Sequence, residues 1–444
     1  MNNNSLQGSL QEAIRSALGC ANTFEGDLHA LCDLYGIANG HQDARLIGAA
    51  QKHDSTIGTA SGALNYFLLN PSTLPTFGLN FVDGTGRLDS RVTFTRASSG
   101  TRFDNTGTLV SMSNDQPRFD YDPVTLAIKG LLIEEQRTNL LLQSAAFDDA
   151  SWSKTATVTA NQAVAPDGTN SADQLSSTGA DQLVEQIASA TAGTAYTLSL
   201  WVKTVSAAAT LDIKLAKNSD GAAFASQSIT TTGSWQRVSL TGTVPVGETA
   251  IRARIGGGST FSTGETIYAW GAQLEAGSFA TSYIPTTTAA ATRAADVAVV
   301  SSLAGWFASP GTLVGEFLVP NDTATAAFGF STGAFANTFY ITTSGTQVAG
   351  NFVIGGVAAT TSPVNAPVGV NHKFAMRMAA SNCRLCVDGT LGAVSTAASV
   401  PAFTQMGIGI APWDLASNHL NGYVKRLAFY PSALPDATLQ ALTS

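Results

Sequence analysis

Four stretches between residues 196 and 274 alternate apolar and polar side chains with a period of two. That is the spacing of a pleated strand with one buried and one wet face, because successive Cβ atoms point to opposite sides of a sheet. Tyr196, Leu198, Leu200 and Val202 alternate with Thr197, Ser199, Trp201 and Lys203. Leu211, Ile213 and Leu215 are set against Asp212 and Lys214, and Ile251, Ala253 and Ile255 against Arg252 and Arg254. In the fourth run Tyr268, Trp270, Ala272 and Leu274 alternate with Ile267, Ala269, Gly271 and Gln273. Such strands, joined by short turns, predict an antiparallel jelly-roll-like β-sandwich over 140–290.

A second sandwich is expected over 305–444. There Leu313, Phe317 and Val319 alternate with Thr312, Glu316 and Leu318, and Phe374, Met376 and Met378 with Lys373, Ala375 and Arg377. The looser stretch 291–304 reads as a linker. Residues 73–139 are dense in turn signals, with DGTG at 83–86, DNTG at 104–107 and YDPVT at 121–125. They predict a connector of β-hairpins packed on a neighbouring domain or another subunit. Residues 1–72 differ. Leu6, Leu10, Ile14 and Leu18 form a helical stripe, Leu28, Leu31, Cys32 and Tyr35 a second, with Gly36 as a stop. The fold class is therefore mainly β, two antiparallel sandwiches preceded by a small α-helical N-terminal domain. Histidines His29, His41 and His53 on these short helices read as surface or core residues rather than ligands.

Charge excludes some functions. Only 12% of the 444 residues are charged, against about a quarter in typical soluble proteins, and the net charge is −8. No basic stripe exists to neutralise phosphates, so nucleic acid is not an expected partner. No run of 18 or more apolar residues lacks a charge, so membrane insertion is not expected either. The first residues, MNNNSLQGSLQEAIR, have no basic and apolar regions of a secretory leader. Cys383 and Cys386 form a CxxC, yet CRLCVDG reads as a strand ending in an Asp-Gly turn, with no further ligands at zinc spacing. Free thiols are expected at all four cysteines, which include Cys20 and Cys32.

Two stretches resemble known families. The block Pro117–Phe147, with the later phrases Trp235–Gly242 and Ala269–Thr287, resembles tail-fibre and head-spike proteins of tailed bacteriophages, where it precedes a carbohydrate-binding-module-like sandwich. The ending Gly422–Leu442, a strand carrying Leu427 and Phe429 that runs into a short helix, resembles a concanavalin A-like lectin/glucanase (laminin-G-type) domain. The resemblance implies a homotrimeric appendage on the virion surface, made without a signal peptide and released by lysis. Its N-terminal helices would attach to other virion proteins and its sandwiches would bind host-surface polysaccharide without covalent chemistry.

Glycan binding by a sandwich needs an exposed aromatic ring for the apolar face of a sugar and polar groups for its hydroxyls. Trp201 is the first candidate, because its strand phase puts it opposite the apolar face, with packing against the 76–140 hairpins or a second subunit as the alternative. Arg252 and Arg254 share an outward face suited to acidic sugars, and Trp152 and Trp413 lie in turn-rich segments at loop edges. No metal site and no cofactor are expected, although 114–116, 119–122 and 218–220 hold oxygen ligands of the kind calcium takes. No catalytic residue is assigned. The glucanases of the lectin fold align carboxylates as E-x-D-x-E, which 305–444 lacks, and Glu316 is the only Glu there. The chain is therefore read as not an enzyme. A structural decoration or adaptor protein of the virion and a glycan-degrading hydrolase stand as the alternatives.

Overall fold

An apolar strand face must be covered, and the alternating runs cover theirs by pairing sheets face to face. The computed structural model describes residues 74–444 apart from 180, 258–260, 322–324, 362, 396–398 and 415–417. The expected N-terminal helices and their histidines lie outside the described residues. Two compact units are present, neither contiguous in sequence. A middle unit comprises 96–127 and 136–295, and a terminal unit comprises 74–95, 128–135 and 296–444. The expected connector is thus divided between them. The only helix among the described residues is Asp436–Thr443, and none is long and apolar enough to cross a membrane.

The middle unit is a sandwich of two five-stranded antiparallel sheets. One runs Gln236–Thr243, Ala195–Thr204, Thr266–Ala276, Ala172–Ser176, Thr157–Ala163; the other runs Ala223–Thr230, Thr210–Lys217, Ala250–Gly256, Leu183–Ser189, Ser153–Lys154. Between them lie Leu198, Leu200, Val202, Leu211, Ile213, Leu215, Ile251 and Ile255, all in one core. Each of the first six is fully buried, worth roughly 1.5–3 kcal/mol per large aliphatic side chain. Here the period-two reading and the structure agree.

The fourth run departs from strict alternation. Ile267 and Ala269 share the core with Ala272 and Leu274, while Trp270 faces the other way. The cause is a bulge. Ser199 pairs with Gln273 but Trp201 with Trp270, so the strand Thr266–Ala276 carries one extra residue at that point. Gly271 there has φ +65°, and a Cβ on it would lie 2.9 Å from Cε3 of Trp201. Only glycine fits both conditions.

The opposite face of this sheet is covered as well. Trp201, Trp270 and Tyr283 meet Leu109, Ala165 and Ala172 in a second apolar cluster, with Phe103 and Trp235 packed against it. Phe103 and Leu109 face each other across the hairpin Gly100–Phe103 and Leu109–Met112. That hairpin is tied down by Thr101, whose hydroxyl donates to the Tyr283 carbonyl at 2.6 Å, and by the Leu109 amide donating to Pro166 O at 2.9 Å.

The terminal unit holds two larger sheets. In one, Gly311–Leu318 lies between Asn371–Met378 and Gly422–Tyr430, and both Phe77–Asn80 and Ile128–Ile133 pair with the latter strand. The other orders Thr93–Thr95, Val297–Val300, Gln405–Ile408, Thr325–Ser331, Asn337–Ser344, Gln347–Ile354 and Val357–Thr360. The stretch 291–304, expected as a linker, supplies Val297–Val300 to this sheet and Ala291–Arg293 to a pairing with Arg137–Asn139 in the middle unit. Phe317, Phe328, Phe330, Phe339, Phe352, Phe374 and Phe429 are buried in the terminal unit.

Replacing Gly271 by Ala should cost the middle unit about 2–4 kcal/mol, from the left-handed backbone and the clash with Trp201 together. Urea unfolding followed by tryptophan fluorescence measures this, and an unshifted transition would contradict the bulge assignment.

Candidate functional site

The strand Asn337–Ser344 turns Phe339 and Ile341 into the core of the terminal unit and leaves Tyr340 and Thr342 on the other face. The registers Tyr340↔Asn351, Thr342↔Ala349 and Asn351↔Thr360 place these polar residues side by side. They bond to each other: the Asn351 amide donates to Thr342 Oγ1 and the Thr360 hydroxyl to Asn351 Oδ1, each at 3.0 Å. On its other side Tyr340 faces Gly329, which in turn faces Gly407. A Cβ at Gly329 would lie 2.5 Å from the Phe339 carbonyl oxygen and 2.9 Å from Cβ of Tyr340. Bare backbone at this position lets the Tyr340 ring sit close to the sheet.

Two further rings converge on Tyr340. Trp413 follows the strand Gln405–Ile408 through a turn, and its ring centroid lies 4.5 Å from that of Tyr340 at 59°. Phe335 lies 5.3 Å from Trp413 at 61° and 6.3 Å from Tyr340 at 47°. Phe335 is 49% exposed, and Tyr340 and Trp413 are half-buried. The turn bearing Phe335 is fixed by its own hydrogen bonds. Gly356 N donates to Ala336 O at 3.0 Å, Gly355 N to Asn337 Oδ1 at 3.1 Å, and the Thr338 hydroxyl to Phe335 O at 3.3 Å. Burial pushes the Tyr340 hydroxyl above the ordinary tyrosine range. The result is a preformed, partly exposed aromatic surface beside neutral hydrogen-bonding groups.

Of the residues singled out in the sequence, Trp413 alone belongs to this cluster. Trp201 requires a correction. Its strand phase is as expected, opposite the main core, but it is only 3% exposed. It packs edge-on to Trp270 at 5.4 Å and Tyr283 at 5.5 Å, with the Arg237 guanidinium 4.6 Å from its ring. The hairpin over the sheet takes the surface a sugar would need. Trp152 is corrected likewise: it is 2% exposed, lies 4.9 Å from Phe147 in the main core, and donates from Nε1 to Gln143 O at 3.1 Å.

Arg252 and Arg254 do face outward together, but Glu185 lies between them. Its Oε1 is 2.6 Å from Arg252 Nη1 and its Oε2 2.5 Å from Arg254 Nε. Arg254 also donates to Gly221 O at 2.7 Å and Arg252 to Asn218 O at 3.4 Å. Lys214, on the adjacent strand, holds Asp212 at 3.1 Å and Gly257 O at 2.9 Å. The donors expected for acidic sugars are therefore engaged within the protein.

The carboxylates considered for calcium each make hydrogen bonds or an ion pair within the protein. Asp115 accepts from Arg96 N at 2.9 Å, Asp120 from Phe103 N at 2.7 Å, and Asp122 from Val124 N and Thr125 N at 3.0 and 2.8 Å. Asp220 pairs with Lys217 at 2.5 Å. Among the described residues no group of three or more His, Cys, Asp or Glu side chains could hold a metal ion. Cys383 and Cys386 are buried free thiols, both pushed up by that burial. Glu316 is paired with Arg426 at 3.3 Å and accepts from Asn371 at 2.7 Å.

No family model and no curated protein matches the chain. Among solved structures it is similar to a module described as CBM4, at 20% identity over 30% of this chain and 83% of that one, with a TM-score of 0.23. It is also similar to the CBM40 of a Ruminococcus gnavus IT-sialidase bound to α2,6-sialyllactose, at 17% identity over 30% and 82%, TM-score 0.27. A third is the enzymatically active domain of tailspike protein 4 of bacteriophage CBA120, at 16% identity over 31% and 21%, TM-score 0.26.

Changing Glu185 to Gln leaves two guanidiniums facing each other without their carboxylate. A loss of about 1–3 kcal/mol is expected, deepest at low salt, measurable by urea unfolding at two ionic strengths. The raised pKa of Tyr340 means that its neutral form is the one the fold favours. Its contribution is complete below about pH 10 and is lost as pH rises through the higher folded value. Alkaline unfolding should accordingly begin at higher pH in Tyr340→Phe than in the native protein.

Proposed function

We propose that this chain is a non-enzymatic carbohydrate-binding protein whose sugar docks on Phe335, Tyr340 and Trp413. One observation carries the reading: a half-exposed Phe335 held against Trp413 and Tyr340, next to Thr342, Asn351 and Thr360. An aromatic face matches the C–H face of a pyranose, and neighbouring amides and hydroxyls match its hydroxyl groups.

The phage spike and fibre resemblance of Pro117–Phe147 supports a setting for this activity: a virion-surface appendage that recognises host-surface polysaccharide, attached through its N-terminal residues. Three copies in a homotrimer would turn a weak single site into useful avidity. The non-enzymatic part of the reading is supported by the engagement of Glu316 with Arg426 and Asn371, which leaves it poorly placed as an acid or base.

A glycan array and host-cell adsorption assay on the full chain test the proposal. Saturable binding is expected, reduced about tenfold or more in Trp413→Ala and unaffected by Glu185→Gln once folding is verified. A folded protein that binds no glycan and no cell would leave the decoration or adaptor role as the better account.

A further inference from the structure

We infer that the ligand of the Phe335–Tyr340–Trp413 cluster is a neutral pyranose, taken one sugar residue at a time. This rests on the carbohydrate reading above and adds the charge and the reach of the ligand.

The charge follows from what surrounds the rings. Residues 325–360, which supply four strands of this sheet, contain no Lys, Arg, His, Asp or Glu, and neither do residues 400–413. The next residue, Asp414, is acidic. A uronic acid, sialic acid or sulfated sugar brings an anion that must keep its water or gain a cation or several charge-assisted donors. The donors near the rings are all uncharged: the Tyr340 O–H and Trp413 Nε1–H on the rings themselves, and the Asn351 amide with the hydroxyls of Thr342 and Thr360, which form a chain among themselves. Such groups exchange hydrogen bonds with sugar hydroxyls on equal terms, whereas with no cation among them they offset the desolvation of a full negative charge less completely.

The reach follows from the rings themselves. An extended polysaccharide ribbon spreads over coplanar aromatic rings, each taking a successive sugar. Here the three rings are inclined to one another by 47°, 59° and 61°, so they form a cradle rather than a flat strip. A pyranose stacked on one ring meets the edges of the others. There is also no second station on this sheet among the described residues. Phe328, Phe330, Phe339 and Phe352 are all fully buried on its inner side, and the residues paired with Tyr340 on either side are Gly329 and Asn351.

The test uses the full chain, titrated calorimetrically with the methyl glycosides of glucose, galactose, mannose and N-acetylglucosamine. Their linear trisaccharides, 3′-sialyllactose and tri-galacturonate complete the panel. At least one neutral glycoside should bind, its trisaccharide should gain no more than about threefold, and Trp413→Ala should weaken both about tenfold or more, with Trp413→Phe recovering part of the loss. Near-UV circular dichroism verifies that the variants are folded. If an acidic sugar binds tenfold or more tightly than every neutral one in a Trp413-dependent way, the neutral assignment falls while carbohydrate binding stands. Affinity that climbs about tenfold per added sugar overturns the single-residue reach in the same manner. No binding by any saccharide to the folded native chain removes the carbohydrate reading itself, and this inference with it.

Discussion

A pleated strand presents two faces, and the architecture of this protein depends on how each second face is covered. The strand Ala195–Thr204 shows the requirement at its fullest. Leu198, Leu200 and Val202 fill the space between two sheets, and Trp201 on the reverse side is closed over by the hairpin that carries Phe103 and Leu109. The hairpin adds no strand to this sheet. What it supplies is an apolar cover, and its hydrogen bonds from Thr101 and Leu109 to the segments around Tyr283 and Pro166 keep that cover in place. In a chain with few charges, wet faces are expensive to populate with strongly solvated side chains, and covering them is the other solution.

Where a face is left open, its chemistry differs between the two units. In the middle unit the outward face of the strands Thr210–Lys217, Ala250–Gly256 and Leu183–Ser189 is ionic, with Arg252, Arg254 and Lys214 matched by Glu185 and Asp212. Like charges on adjacent outward positions would repel if nothing lay between them, and Glu185 on the neighbouring strand accepts from both guanidiniums. That network holds its donors in place and leaves them little to offer a ligand. In the terminal unit the open face is neutral, formed by threonines and an asparagine beside three aromatic rings. These rings pack against one another and stay partly exposed.

Glycine has a distinct role in each unit. Gly271 admits the bulge that swings Trp270 to the same side as Trp201, which makes the buried aromatic cluster possible. Gly329 leaves the space that Tyr340 takes up beside it, which makes the exposed one possible. Both cases turn on space next to an aromatic ring.

The sequence by itself determined the inward faces. Leu211, Ile213, Leu215, Ile251 and Ile255 were legible because the side-chain period of a strand is two and each run is long enough to show it. It also determined the mainly β, antiparallel character of the described chain and the outward phase of Trp201, Arg252 and Arg254. Tyr340 was open to the same reading, since Phe339 and Ile341 flank it. Only the tertiary structure decided which outward faces remain open. The cover on Trp201 comes from residues near 103 and 109, and the partners of Tyr340 come from a turn at 335 and a loop at 413. The bulge at Gly271, one residue long, reversed the phase of a whole half-strand. Local periodicity fixes which side of a strand a residue occupies, but solvent exposure is set by segments distant in sequence, and no local pattern encodes where those segments come to rest.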